Sequence, residues 1–483
     1  MSSATPILDL FRARKWEQKT QEPAVPAYGG AFEQAAPTGI RIALFLFIVA
    51  FPLSGFMVID LGIIGIPFGV TLNYIAGPLL ILLWLTRNRQ LYPALPNPLT
   101  PIILLYIAMA FLSVFLSASI PPNAADFADK KPYVFSFTQS LYLCFDLVTA
   151  LTLTQVFSAF PSLQMPALRL HIYTVCFVCV WGVYQWLAYF FGWEYVTFFN
   201  NNPYRSELYD QNSMGLKRVS SVLHEPSDLG LYLLTAIPLL ILPLCERHEI
   251  VPGRARILVL ALCLITLFMS TSFSGYLTFV FFVLLLFVSK QFWRNKRLVL
   301  TTGGIVFIGF AVAAAFFSFS GGQYSLQEAM VERAASSRDH PDDSTFGRVT
   351  AAVAAMEMFV DHPLVGVGEG NSGFHYDEYT SVWVADALPR VDALLPKILA
   401  EHGLIGGGLF LLLLYRVFRP RGKGRPDPSD FRFVLKLAVI TCFFDLFTSC
   451  YDMERFHVWL ITAIFFAVNN RWSLQLDRKT RRP

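Results

Sequence analysis

Apolar runs of about twenty residues recur along this chain, and nothing else limits its fold so sharply. About 20 helical residues cross a bilayer core about 30 Å thick. Inside that core every backbone N–H and C=O must find a partner within the protein. Unbroken apolar runs meet this demand only as helices; a membrane barrel would need short alternating segments, and the sequence has unbroken runs instead. The runs read as twelve spans, roughly 40–59, 63–85, 99–118, 133–158, 168–192, 228–245, 256–273, 275–291, 298–318, 399–418, 432–450 and 455–471. The predicted fold class is therefore an all-α polytopic membrane protein of about twelve transmembrane helices. The 15% charged and 55% hydrophobic content fits that class and excludes a soluble globule. The division between the seventh and eighth spans rests on Ser270–Gly275, which reads either as a turn or as a polar kink.

Charge orients the spans. With twelve of them both termini fall on one side, whose segments hold 27 of the 38 Lys and Arg; the other side holds 11. Basic excess marks the cytoplasmic face. The layout expected is a disordered cytoplasmic tail (1–39), nine spans over 40–318 with an outer loop at 193–227, a large outer loop at 319–396, three spans over 397–471 and a basic cytoplasmic tail (472–483). The polar N-terminal tail is unlike a cleaved signal peptide, so the first span reads as an uncleaved anchor. The net charge of +4 follows from the loop bias and gives no reason to invoke nucleic acid. Cys176 and Cys179 have redox-motif spacing but lie in an apolar helix, where they read as packing residues.

Polar residues concentrate in the two outer loops. The smaller carries Arg205, Lys217, Arg218 and the run Val219–Asp228, which opens the sixth span. Glu225, Pro226 and Asp228 fit a helix start; Lys217 and Arg218 just before them fit an anion site, phosphate being the usual anion. The larger loop holds a predicted helix over 347–361, with Met356, Phe359 and Val360 available to lie on the membrane. Arg348 is in its first turn, where a cation opposes the helix dipole and an anionic ligand would explain it. Gly368–Gly373 formally matches G-x-G-x-x-G, but no strand precedes it, so the glycines read as a tight turn. Phe374, His375, Tyr376, Tyr379 and Trp383 form an aromatic group that suits either sugar stacking or an interfacial belt. A further helix is expected over 388–401, running straight into the tenth span with Arg390, Asp392, Lys397 and Glu401. Asp146 and Asp445, inside spans, are functional or paired by default. Asp452, Glu454 and Arg455 read as a self-neutralising cluster. No His/Asp/Glu group at ligand spacing is evident in the outer loops; Asp126 and Asp129 alone are too sparse for a Mg²⁺–diphosphate site.

Arg348, the run His362–Gly370 (HPLVGVGEG) and Glu401–Gly407 (EHGLIGG) together resemble the O-antigen ligase/polymerase superfamily of bacterial envelope glycosyltransferases. The resemblance implies a GT-C-like architecture in the bacterial inner (plasma) membrane with an extracytoplasmic active site. It implies transfer of a glycan from an undecaprenyl-diphosphate carrier, with no cofactor and no metal. Under it, Arg218 and Arg348 clamp the diphosphate, with Lys217 and Arg205 as secondary cations. Glu225 or His375 acts as base or orients the acceptor, and Asp392 and Glu401 support. Where ligase members carry a histidine followed by asparagine, this chain has Asp392-Ala393. Glu225-Pro226-Ser227 resembles an element of the polysaccharide-polymerase members.

Three functions remain in play. The leading one is a polymerase joining lipid-linked repeat units of O-antigen, capsule or exopolysaccharide, with membrane lipid, a chain-length regulator and a flippase as partners. The second is a ligase that moves finished glycan to lipid A-core or another acceptor. The third is a lipid-linked sugar flippase or transporter, which would carry its charges at the bilayer midplane; here most of the polar candidates lie in loops.

Overall fold

The computed structural model describes residues 36–60, 65–87, 97–119, 131–199, 212–213, 216–241, 250–289, 293, 299–300, 303–304, 344–379, 391, 393–419, 431–449 and 455–480. Among them the architecture is helical. In chain order the helices are α1 (Thr38–Ala50), α2 (Phe68–Arg87), α3 (Thr100–Ser113), α4 (Pro132–Ala159), α5 (Gln164–Phe191), α6 (Pro226–Ile241) and α7 (Gly253–Met269). They continue as α8 (Phe273–Val288), α9 (Ser344–Asp361), the short α10 (Tyr376–Tyr379), α11 (Leu394–Phe418), α12 (Phe431–Ser449) and α13 (Phe456–Thr480). Two small antiparallel ribbons qualify the all-α expectation: β1 (Met57–Asp60) pairs with β2 (Gly65–Pro67), and β3 (Asn212–Ser213) with β4 (Leu216–Lys217).

Among the described residues, five helical segments are long and apolar enough to cross a membrane: Phe68–Thr86, Thr100–Ser117, Pro132–Ala159, Pro161–Phe191 and Leu394–Phe418. Five more apolar helices are shorter, and they include α1 and α6. The expected first span (40–59) is shorter as a helix than the sequence suggests. Its helix stops at Ala50, because Phe51–Gly55 turn and Met57–Asp60 enter a ribbon, so the second helix also begins later than expected, at Phe68. α12 covers the eleventh expected span but carries Arg432, Lys436 and Asp445. The ninth expected span lies almost wholly outside the described residues.

Burial explains how short helices persist. Every residue of α6 except Ser227 is buried. It is flanked by α7, α8 and α12, so protein rather than lipid surrounds it. α13 packs along α4, α1 along α2, α5 on α7, and α9 on α11. Leu104, Leu105 and Leu112 on α3, with Leu404, Ile405 and Leu411 on α11, point outward from the bundle, as lipid-facing side chains do. Between α7 and α8 the chain does turn: Thr271 takes a left-handed φ of 46°, and the Ser272 hydroxyl caps α8 by accepting from Gly275 N at 3.3 Å.

Side-chain contacts sort the helix ends into two groups. At one end Asn97 reaches Thr154, and Arg169 donates to the Ile250 carbonyl. At the other, Ser54 meets His224, Ser113 meets Glu369, and Asp228 meets Arg455. Both predicted outer loops thus join the same end of the bundle.

Candidate active site

α11 is broken at Gly403, whose φ of 58° and ψ of −157° no helix accommodates. The break strips Leu404 N and Ile405 N of their helical acceptors, the carbonyls of Ala400 and Glu401. The glycine-rich run repairs both losses. Pro363 O accepts from Leu404 N (2.8 Å) and Leu364 O from Ile405 N (3.2 Å). In return Val367 N donates to Ala400 O (2.8 Å) and Gly368 N to Glu401 O (2.9 Å). A kink at this depth is tolerated because its freed groups are satisfied by neighbouring backbone. Gly366, at φ 68°, is required: a Cβ there would sit 2.4 Å from Ala400 O.

Inside this joint Glu369 Oε2 lies 2.7 Å from His402 Nε2, and Ser372 Oγ donates to Glu401 Oε1 at 2.6 Å. All four residues are buried. Burial pushes the Glu369 carboxyl up, but the hydrogen bond and charge of His402, with Lys397 nearby, bring it below the ordinary glutamate value. Glu369, Glu401 and His402 place donor atoms within 4.8 Å of one another, a set that could hold a metal ion. This corrects the expectation that no such group exists in the outer region: the donors come from two distant motifs, and spacing could not show it. Their charges already have protein partners, since Glu369 is hydrogen-bonded to His402 and Lys397 lies in electrostatic reach of both carboxylates.

A second ionic group lies where α6, α9 and α13 begin. Arg455 NH2 is 2.5 Å from Asp228 Oδ1, and His224 Nδ1 is 3.6 Å from Asp228 Oδ2. His224 Nε2 is 3.3 Å from Glu225 Oε1, while the Ser227 hydroxyl donates to Glu225 Oε2 at 2.9 Å. Burial raises the Glu225 pKa, but His224, the Ser227 hydrogen bond and the guanidinium groups of Arg455 and Arg348 outweigh it, and the net shift is downward. Arg348 on α9 is therefore in electrostatic reach of Glu225. The preceding segment Val219–Leu223 is buried, held by Val219 N on Met269 O (3.2 Å) and by Gln185 Oε1, which accepts from Ser220 N and Ser221 N.

With this geometry in place, comparison with known families is decisive for one part of the chain. Residues 258–411 match the family model for O-antigen ligase (Wzy_C). The chain carries an O-antigen ligase domain. The domain runs from α7 into α11, so it contains Arg348, the glycine run and the Gly403 break. Glu225 and Arg455 lie outside its limits and are brought to it by the fold. No curated protein matches the chain.

The expected site residues divide around the ligase domain's helix α9. Arg348 at its start is in electrostatic reach of Glu225. His375 is near its far end, with its ring 6.4 Å from that of His362 and its Nδ1 3.4 Å from Glu378 Oε2. The 14 residues from Arg348 to His362 span roughly 20 Å of helix. Glu401 belongs to the Gly403 joint. Arg218 is half-buried at the mouth of the Val219–Leu223 segment, and Lys217 lies in β4. Arg205 and Asp392 fall outside the described residues, as do Asp452, Glu454, Asp126 and Asp129. The aromatic group is largely packed inward: Phe374, His375 and Tyr376 are buried, and Phe374 meets Phe135 edge-on at 5.7 Å. It is therefore not an exposed stacking surface; Trp383 lies outside the described residues. Asp445 accepts from Thr278 at 2.8 Å, tying α12 to α8. Sequence reasoning read Arg455 as locally neutralised and Asp228 as a dipole partner, and missed that the two pair. The available signal was a lone arginine just before a span, on the side poor in basic residues.

Proposed function

We propose that this protein is an inner-membrane glycosyltransferase that takes a glycan from a lipid-diphosphate carrier on the outer face, and that it works as a polysaccharide polymerase. The observation that carries this reading is that Arg348, inside the ligase domain, lies in electrostatic reach of Glu225 from a separate loop. Attack of an acceptor hydroxyl on the anomeric carbon breaks the bond to the lipid diphosphate, which leaves with the electron pair. Charge then develops on the diphosphate, and arginines held nearby stabilise it. Arg348 and Arg218 take that role, with Lys217 and Arg205 as secondary cations. The acceptor hydroxyl must be oriented and its proton removed. Glu225 is the carboxylate in electrostatic reach of Arg348. Its lowered pKa keeps it ionised and makes it a weak proton acceptor, which suits orienting the hydroxyl and passing the proton to water. His375 and Glu401, toward the other end of α9, support the fold of the site.

Arginine neutralisation leaves no step that needs a metal, and Glu369, Glu401 and His402 serve in the joint. The Glu225-Pro226-Ser227 element favours polymerisation, in which the acceptor is a second lipid-linked unit. The ligase family match favours transfer to lipid A-core or another acceptor. Glycan analysis of a deletion strain separates them. Accumulated single repeat units are expected; full-length unattached polymer would make the protein a ligase, and unchanged glycan would overturn both.

A further inference from the structure

Arg455 stands just before α13 and Asp228 in the first turn of α6, and their 2.5 Å ion pair ties these two helix starts together. Asp228 is buried and Arg455 is half-buried, so the ion pair gives the guanidinium a fixed place. From it a file of ionisable groups runs through Asp228 and His224 to Glu225, at 3.6 Å and 3.3 Å. Glu225 faces His224 and Ser227 from its own segment, Arg455 from α13 and Arg348 from α9. Asp228 is the second carboxylate of the group, and Arg455 is the cation that satisfies it. Without Arg455, two carboxylates would share His224.

We propose that Arg455 is a positioning residue for glycan transfer: anchored by Asp228, it holds the His224–Glu225 pair in place without itself touching the reacting atoms. The inference rests on the reading of Glu225 and Arg348 as the transfer site. It predicts a particular pH behaviour. A carboxylate held below its ordinary pKa works down into the acid range and is lost only as pH falls through the depressed value. Removing the Arg455 cation raises that value, because its charge is one of those that lower the Glu225 pKa.

The test uses isolated membranes of the producing strain, which carry their own lipid-linked glycan, with polymer formation followed down the acid range. For Arg455→Gln the acid limb is expected to move up by about one pH unit. For Arg455→Lys, which keeps the charge but not the planar fork, the limb should stay in place while the rate falls. If Arg455→Gln does not accumulate in the membrane, the double variant Asp228→Asn/Arg455→Gln leaves no uncompensated carboxylate. It should fold and still show an upward, smaller shift. A limb at the wild-type pH in both Gln-bearing proteins would overturn the positioning role. Glu225→Gln and Arg348→Ala separate the two failures: both inactive with an unmoved Arg455 limb refutes this inference alone. Wild-type polymer from both refutes the transfer site itself.

Discussion

At the scale of single residues, the site depends on the kind of cation as much as on its charge. Arg348 is a planar donor that can grip two phosphate oxygens at once, whereas lysine offers a point charge. Arg348→Lys should therefore lose most activity while the protein level stays normal. Loss of one such donor costs about 2.7–4 kcal/mol of transition-state stabilisation. The measurement is polymer yield per unit of protein in complemented cells; near-normal yield would remove Arg348 from the clamp. Arg348 stood out in sequence because a cation in the first turn of a helix opposes its dipole, and Glu225 because it follows the basic pair Lys217 and Arg218. Arg455 and Asp228 were not, because each looks ordinary locally and acquires meaning only when α6 and α13 are brought side by side.

Among the elements, the most instructive is the joint between the glycine run and α11. Sequence reading found both segments and took the glycines as a tight turn lying close to the membrane; the turn packs instead against the backbone of α11. It did not show that the turn exchanges four hydrogen bonds with a broken helix, since Gly403 sits in an apolar run that reads as one continuous span. Lengths misled for a related reason. An apolar run sets how much chain avoids water, whereas the helix within it ends where caps and turns end it, as at Ala50 and Met269. The joint makes a stability prediction. Gly366→Ala forces an alanine into left-handed backbone, which costs about 1–3 kcal/mol, and also drives its Cβ into the Ala400 carbonyl. Gly192 has a similar φ of 66° but nothing within 4 Å of a built Cβ, so Gly192→Ala carries the strain alone. Thermal unfolding of the purified protein in detergent should show a clearly larger loss for Gly366→Ala. Equal losses would mean that the joint yields to the added methyl and does not fix α11.

Over the whole molecule, the ligase domain supplies Arg348 and the joint, while the helices before and after it deliver Glu225 and Arg455 to the same end of the bundle. That division explains why a family match to residues 258–411 does not by itself contain the site proposed here. It also sets the strongest physical demand on the proposal, which is that a diphosphate be neutralised by arginines contributed from separate parts of the chain. A metal-dependent transferase would instead use its carboxylates as ligands, and Glu369, Glu401 and His402 are the group that would serve. The decisive measurement is glycan transfer by the purified protein from a lipid-diphosphate-linked donor in the presence of EDTA, with Arg348→Ala run beside it. Transfer that survives EDTA and disappears in Arg348→Ala is the expected result. Transfer abolished by EDTA, restored by Mg²⁺ or Mn²⁺ and indifferent to Arg348 would contradict it.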